Sequence, residues 1–267
     1  MRGVSIFSKS WVLVTGASSG LGAEMARTLA RRGAHLILTA RSRDRLEELA
    51  ADVERVNGIE ARVVAEDLSA HGGAGRLLAA VAALGVEVEH LVNNAGVGSA
   101  GSFATASSER EEAMVRLNVE SIVTLTRGLL PAMLARGRGG VVNVASTAAF
   151  QPVPYMATYG ATKAFVLSFT QALATELEGT GVRAMALCPG PVRTGFQRAA
   201  GIPRPGLSAA ELTAVQTIER GVAAYERGDR LFVPGLVNAA QRVGSTLLPN
   251  RVLTWATARA MKKWGRA

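Results

Sequence analysis

Short stretches that are apolar at nearly every position alternate along this chain with longer ones in which apolar residues return every three or four positions. The short class comprises "WVLVTG" (11–16), "HLILTA" (35–40), "ARVVAE" (61–66), "HLVNNA" (90–95), "GVVNVAS" (140–146), "VRAMALC" (182–188) and "RLFVP" (230–234). Such runs, apolar on both faces, suit strands that are covered from both sides. The long class, with a helical period, spans 20–32, 43–57, 73–84, 108–136, 158–178 and 208–227. Ser108 with Glu111 and Ser208 with Glu211 stand at capping-box spacing, so helices are predicted to start at both serines. Strands and helices in alternation, joined by right-handed crossovers, predict an α/β doubly wound Rossmann fold. The expected organisation is a single seven-stranded parallel domain over 1–234 and a helical extension over 235–267.

At 267 residues, with 48% hydrophobic and 19% charged, the chain has the composition of a globular protein with a sizeable core. A net charge of +9 invites a nucleic-acid reading, but its distribution removes it. Residues 227–267 hold eight of the 30 bases and one of the 21 acids, so the body is close to neutral and the tail is basic. A nucleic-acid face would carry its bases on the folded domain, interleaved with aromatic residues. One cysteine, Cys188, allows no intrachain disulfide and fits a reducing compartment. His35, His71 and His90 lack ligand spacing, so no metal is expected. The opening "MRGVSIFSKS" has no signal-peptide core, and no run approaches the roughly 18 apolar residues of a membrane span. The expected location is the cytoplasm.

Candidate chemistry begins after the first strand. "TGASSGLG" (15–22) sets Gly16, Ser18, Ser19, Gly20, Leu21 and Gly22 at a strand-to-helix turn. There glycines let the backbone approach a pyrophosphate, and the helix end offers free N–H groups. The spacing is G-x3-G-x-G, which differs from the common dinucleotide fingerprint. After the second strand stands Arg41, where an acid would bind the ribose hydroxyls of NAD. A guidinium fork suits a 2′-phosphate, so the expected cofactor is NADP(H). In "PYMATYGATKAFV" (154–166), Tyr159 and Lys163 lie four apart and leave one face of a helix together.

These motifs, in this order, resemble the short-chain dehydrogenase/reductase family in its compact branch, over residues 11 to about 234. The remaining members of the pattern are Asp67 after the third strand, "NNAG" (93–96), Asn118, Ser146, "YGATK" (159–163) and "PGPVRT" (189–194). The resemblance implies that Tyr159 is the general acid/base, with Lys163 lowering its pKa and binding the nicotinamide ribose. It implies that Ser146 donates to the substrate oxygen and that Asn118 holds a relay water. It places Asp67 and Leu68 at the adenine, Asn93, Ala95 and Gly96 beside the adenosine ribose, and Pro189, Gly190, Val192 and Thr194 at the nicotinamide. A phenol with a pKa near 10 is a poor base at neutral pH, and a neighbouring ammonium or oxidised nicotinamide corrects that.

The segment 193–212 lies where the family keeps a substrate lid, and its Phe196, Ile202 and Leu207, with Phe150, Val153 and Met156, suggest an apolar pocket. Tyr155 is a wall of that pocket or core. "AAFQPVPYMATYGATKAFVLSFTQAL" (148–173) is similar to a bacterial subgroup related to 17β-hydroxysteroid and long-chain 3-oxoacyl reductases. The expected substrate is therefore a lipid, acyl or steroid-like carbonyl or alcohol. The alternatives are a non-catalytic NADP(H)-binding sensor and a membrane-surface protein using the tail. From Pro249 a helix capped by Asn250 is predicted through Trp264, with Leu253, Ala260, Met261 and Trp264 opposite Arg251, Arg259, Lys262 and Arg266. That face fits packing on the domain or a partner subunit, and it fits an anionic membrane surface. By resemblance, the protein is a homodimer or homotetramer built through 108–136 and 158–178.

Overall fold

Alternate residues of a strand face opposite layers, and the buried strands here separate two cores in that way. In the computed structural model, which describes residues 5–202, 211–247 and 249–261, β1 is Trp11–Thr15, β2 His35–Ala40, β3 Ala61–Ala65, β4 Val88–Asn93, β5 Gly139–Val144, β6 Val182–Leu187 and β7 Leu231–Phe232. All pair in parallel in the order β3-β2-β1-β4-β5-β6-β7. Val12, Val14, Leu36 and Leu38 join one core with α1 (Gly20–Arg31), α2 (Arg43–Asn57) and α8 (Ala214–Arg227). Leu13, Ile37, Leu91 and Val141 join the other with α3 (Gly73–Ala83), α5 (Ser121–Arg136) and α6 (Ala157–Glu176). The strand order reverses between β1 and β4, and a crevice opens there at the carboxyl ends of the strands.

Three helix boundaries depart from the expectation. The predicted helix over 108–136 is two: α4 (Ser108–Val115) and α5, joined by a π-helical turn at Arg116–Glu120. The cap of α4 is Ser107, whose hydroxyl accepts from the Arg110 N–H, while the expected Glu111 accepts from Ser99 at 2.7 Å. The start of α8 is at Ala214, where Thr213 and Gln216 form a reciprocal capping box. It cannot start earlier because Leu212 is extended and bridged to Val192, and Glu211 is paired with Arg193 at 3.2 Å. Ser208 lies outside the described residues, as do Pro203, Pro205, Gly206 and Leu207 of the expected lid, and Lys262, Lys263, Trp264 and Arg266 of the tail. After β7, within the stretch 235–267 expected to be a helical extension, come α9 (Leu236–Leu247) and α10 (Asn250–Met261). A short helix, α7, occupies Phe196–Ala199.

Candidate active site

Three turns meet at the crevice. The first follows β1, where Gly16 and Gly20 adopt φ of 67° and 58°, a region that favours glycine. A Cβ on Gly22 would collide with the Gly16 carbonyl and the Asn94 amide, so α1 approaches the strand as closely as a backbone can. The second follows β4. Asn94 Nδ2 donates to the Thr15 carbonyl at 2.9 Å, and the Asn94 and Ala95 N–H groups donate to Thr15 Oγ1 at 3.0 and 2.9 Å. The third follows β6, where a Cβ on Gly20 would stand 3.4 Å from the Thr194 side chain. The first turn of α1 is open to an anion: Ser19 makes no side-chain cap bond, and no acid lies there. Glycines without room for a side chain beside an uncapped helix end fit a dinucleotide pyrophosphate, with Ser18, Ser19 and Leu21 on the same turn.

At the far side of the crevice, β5 is followed by Ser146, which caps a short 3-10 turn by accepting from the Ala148 N–H at 3.1 Å. Tyr159 and Lys163 lie on α6, both buried, with Lys163 Nζ 5.9 Å from the centre of the Tyr159 ring. Burial raises the pKa of the Tyr159 phenol, and its hydrogen bond with the Ser146 hydroxyl opposes that rise. The expected lowering is thus countered: in the crevice as it stands the phenol is a neutral acid. Burial also lowers Lys163 to about 8, and its ammonium donates to the Val144 carbonyl at 2.8 Å. Asn118 is fully buried in the π turn, and wide turns of this kind recur at functional sites. Its Oδ1 accepts from the Val97 N–H at 3.0 Å, and its Nδ2 donates to the Val97 carbonyl at 2.9 Å and to Thr162 Oγ1 at 3.1 Å. Both amide hydrogens are committed, so the side chain holds the loop after β4. A Cβ on Gly96 would stand 3.2 Å from Asn118 Oδ1 and 3.4 Å from Lys163 Nζ, which places that loop against both side chains.

Other expected residues separate into those near this centre and those elsewhere. Phe196 lies 5.5 Å from Tyr159, ring centre to ring centre, and it packs with Ile202 against the cluster of Met114, Val153, Met156 and Tyr159. Tyr155 is half-buried with φ of 64°, a strained conformation for a non-glycine residue, and its carbonyl accepts from the Gly101 N–H at 2.9 Å. Phe150 packs instead against the separate cluster containing Ile122, Val166 and Cys188. It lines a groove of about 550 Å³ with Ala157, Gly160, Ala161 and Ala164, on the far side of α6 from Tyr159. Asn93 shares strand parity with Leu91, so its side chain enters the core and not the crevice. It donates to Asn143 Oδ1 at 2.8 Å and to Thr126 Oγ1 at 3.3 Å, so any contact with a nucleotide would come from its backbone.

Arg41 is exposed and attracts the Asp67 carboxylate. Burial alone would raise the Asp67 pKa, but the Ser69 hydroxyl and N–H, with Arg41 and Arg76, take it below the usual value. Leu68 is buried behind it. The Pro189 carbonyl accepts from the Thr147 N–H at 2.9 Å, tying the third turn to the one that bears Ser146. A Cβ on Gly190 would overlap Asn238 of α9, which is itself buried and donates to the Pro234 carbonyl at 2.8 Å. Thr15, Asn94 and Asn238 are thus positioning residues that sequence reasoning passed over. The first two stood inside motifs already noticed, whereas nothing near Asn238 marks it.

A doubly wound parallel sheet with a Ser–Tyr–Lys constellation at its crevice defines an oxidoreductase of the short-chain type. The chain belongs to the short-chain dehydrogenase family, whose family model matches residues 10–203. It is 31% identical over 252 residues to the very-long-chain 3-oxoacyl-CoA reductase-B of Danio rerio, covering 93% of this chain and 75% of that one. It is 33% identical over 182 residues to an uncharacterized oxidoreductase of Staphylococcus epidermidis, covering 68% of this chain and 77% of that one. Among solved structures, a short-chain dehydrogenase from Sphingobium yanoikuyae in complex with NADPH superposes with a TM-score of 0.79 at 29% identity, over 90% of this chain and 96% of that one. A 7β-hydroxysteroid dehydrogenase superposes with a TM-score of 0.85 at 25% identity, over 94% of this chain and 98% of that one.

Proposed function

We propose that this protein is an NADP(H)-dependent reductase of carbonyl groups on apolar substrates, of lipid, acyl or steroid-like character. The observation that carries the reading is the buried phenol of Tyr159, hydrogen-bonded to Ser146 and one turn from Lys163, and packed in an apolar cluster with Val153, Met156 and Phe196. The cofactor would lie against the glycine turn, with Arg41 at its 2′-phosphate, Asp67 at its adenine and the Gly190–Thr194 turn at its nicotinamide end. When bound, it supplies the hydride. Ser146 then orients the substrate oxygen, and Tyr159 gives that oxygen its proton. The phenolate left behind is stabilised by the Lys163 ammonium. The NADPH of the Sphingobium structure and the 3-oxoacyl-CoA of the Danio relative support cofactor and substrate class.

The test is oxidation of NADPH and NADH in parallel, read as nicotinamide absorbance, with a panel of apolar ketones and 3-oxoacyl thioesters. Turnover with NADPH is expected, and no turnover of any member would reject the reading. Exchanging Arg41 for Asp is expected to move the NADPH/NADH preference towards NADH by about tenfold or more, since a phosphate would then meet a like charge. Unchanged selectivity would remove Arg41 from the cofactor site. Because the Lys163 pKa is about 8, its charge is present below that pH and lost above it. The pH profile of kcat/KM for ketone reduction is therefore expected to fall above about pH 8, and a profile flat to pH 10 would contradict the role given to Lys163.

The reading extends to a cytoplasmic homo-oligomer assembled through α4, α5 and α6. Its support is the run of exposed apolar side chains there: Val123, Leu134 and Phe165, the last stacked on Phe169. Among the described residues, no helix is long and apolar enough to cross a membrane. The outward face of α10 carries Trp255, 65% exposed, and Val252 between Arg251 and Arg259, which supports peripheral contact with an anionic membrane surface.

A further inference from the structure

We infer that α10 forms a wall of the substrate pocket and that Met261 sets the size of the group accepted beside the reacting carbonyl. The inference rests on the reductase reading for where the substrate sits. Along α10, Leu253, Thr254, Thr257, Ala258 and Met261 are half-buried, while Arg251, Val252, Trp255, Ala256 and Arg259 are exposed. The inner positions recur at one, four, five and eight residues, which is one face of a helix laid on the protein. That face meets the chain between Ser146 and Tyr159: Gln151 Nε2 donates to Thr257 Oγ1 at 3.3 Å. One turn further on, Met261 packs against the cluster that contains Tyr159 itself, together with Phe196 and Ile202 from the lid side. A segment distant in sequence thus contributes an apolar side chain to the lining around the proton donor. Methionine suits the place, since its unbranched thioether bends around ligands of different shape. It offers no strong hydrogen-bond donor or acceptor, so what it selects is bulk.

The test compares wild type with Met261→Ala and Met261→Trp, using 2-butanone, 2-hexanone and 2-decanone with NADPH. The expected result is a rise in the 2-decanone/2-butanone ratio of kcat/KM for Ala and a fall for Trp. The two variants should differ by about tenfold or more, with the change residing in KM. NADPH binding checks that each variant is folded. Equal ratios in the three proteins would overturn the inference. Should the Met261 variants fail to fold, Thr257→Val, which cuts only the tether to Gln151, must move the ratio in the direction of Ala, and an unchanged ratio overturns the inference. Calorimetric titration of 2-decanone into the NADP+ complex, in which no reduction occurs, separates the two readings. If the wild type reduces no ketone but binds 2-decanone with affinities that Met261→Ala and Met261→Trp shift in opposite directions, the reductase reading fails and the wall stands. Absent or unshifted binding overturns the wall.

Discussion

Replacing Tyr159 with Phe lowers kcat for ketone reduction by about 10²–10⁴-fold, the range that a positioned general acid contributes, while NADPH still binds. The expectation follows from what the substitution removes. Phe keeps the ring in its contact with Phe196 and in the cluster of Met114, Val153 and Met156, so packing survives. Only the hydroxyl is lost, the group hydrogen-bonded to Ser146 and proposed to give the proton. Tyr155 is the rival phenol, half-buried, and lacks a lysine four residues further on. Activity that survives Tyr159→Phe and disappears in Tyr155→Phe would reverse the assignment. A loss seen only in KM would show that Tyr159 binds substrate without transferring a proton.

Asn118→Leu is expected to lower stability by about 2–4 kcal/mol and to reduce turnover with it. Leucine has nearly the shape of asparagine but leaves the Val97 N–H and carbonyl without their Asn118 partners and removes the bond that the Thr162 hydroxyl accepts, while that hydroxyl still donates to the Tyr159 carbonyl. Each such loss costs roughly 1–3 kcal/mol when the group is buried, and less where water can reach it, as beside half-buried Val97. The loop they hold places Gly96 against Lys163, and Gly98 against Tyr159 and Phe196, so displacement of the loop disturbs the reacting groups. Urea unfolding monitors the effect as a lower midpoint at unchanged slope. A midpoint equal to wild type would show that the amide is not structural, and would return Asn118 to the role of water holder alone.

Legibility differed with the range of the interactions concerned. The glycine turn, the Tyr159–Lys163 pair and the alternation of strands with helices were readable because each rests on neighbours a few residues apart and on strict periods of strand and helix. Asn93 stands in a recognisable motif, but the motif does not say which way its side chain turns. Whether it meets a ligand or the core depends on strand parity at the end of β4, and the same parity buries Leu91. The helix expected from Ser208 begins at Ala214, capped by Thr213, because residues across the lid, Val192 and Arg193, hold Leu212 and Glu211 in an extended segment. Phe150 looked like pocket lining, yet the short turn after Ser146 carries it to the other side of α6.

By itself, the sequence determined the doubly wound α/β architecture and the positions of its principal chemical groups. Hydrophobic period and glycine placement act locally, and a backbone with only two soft dihedrals per residue has few ways to satisfy them. Tertiary structure alone decided which faces meet. It joined Asn118 to Val97, Asn94 to Thr15 and Asn238 to the turn at Gly190, and it laid α10 with Met261 against the cluster of Tyr159. Those contacts link residues distant along the chain, so they form only when packed layers exclude water and buried polar groups must find partners within the protein.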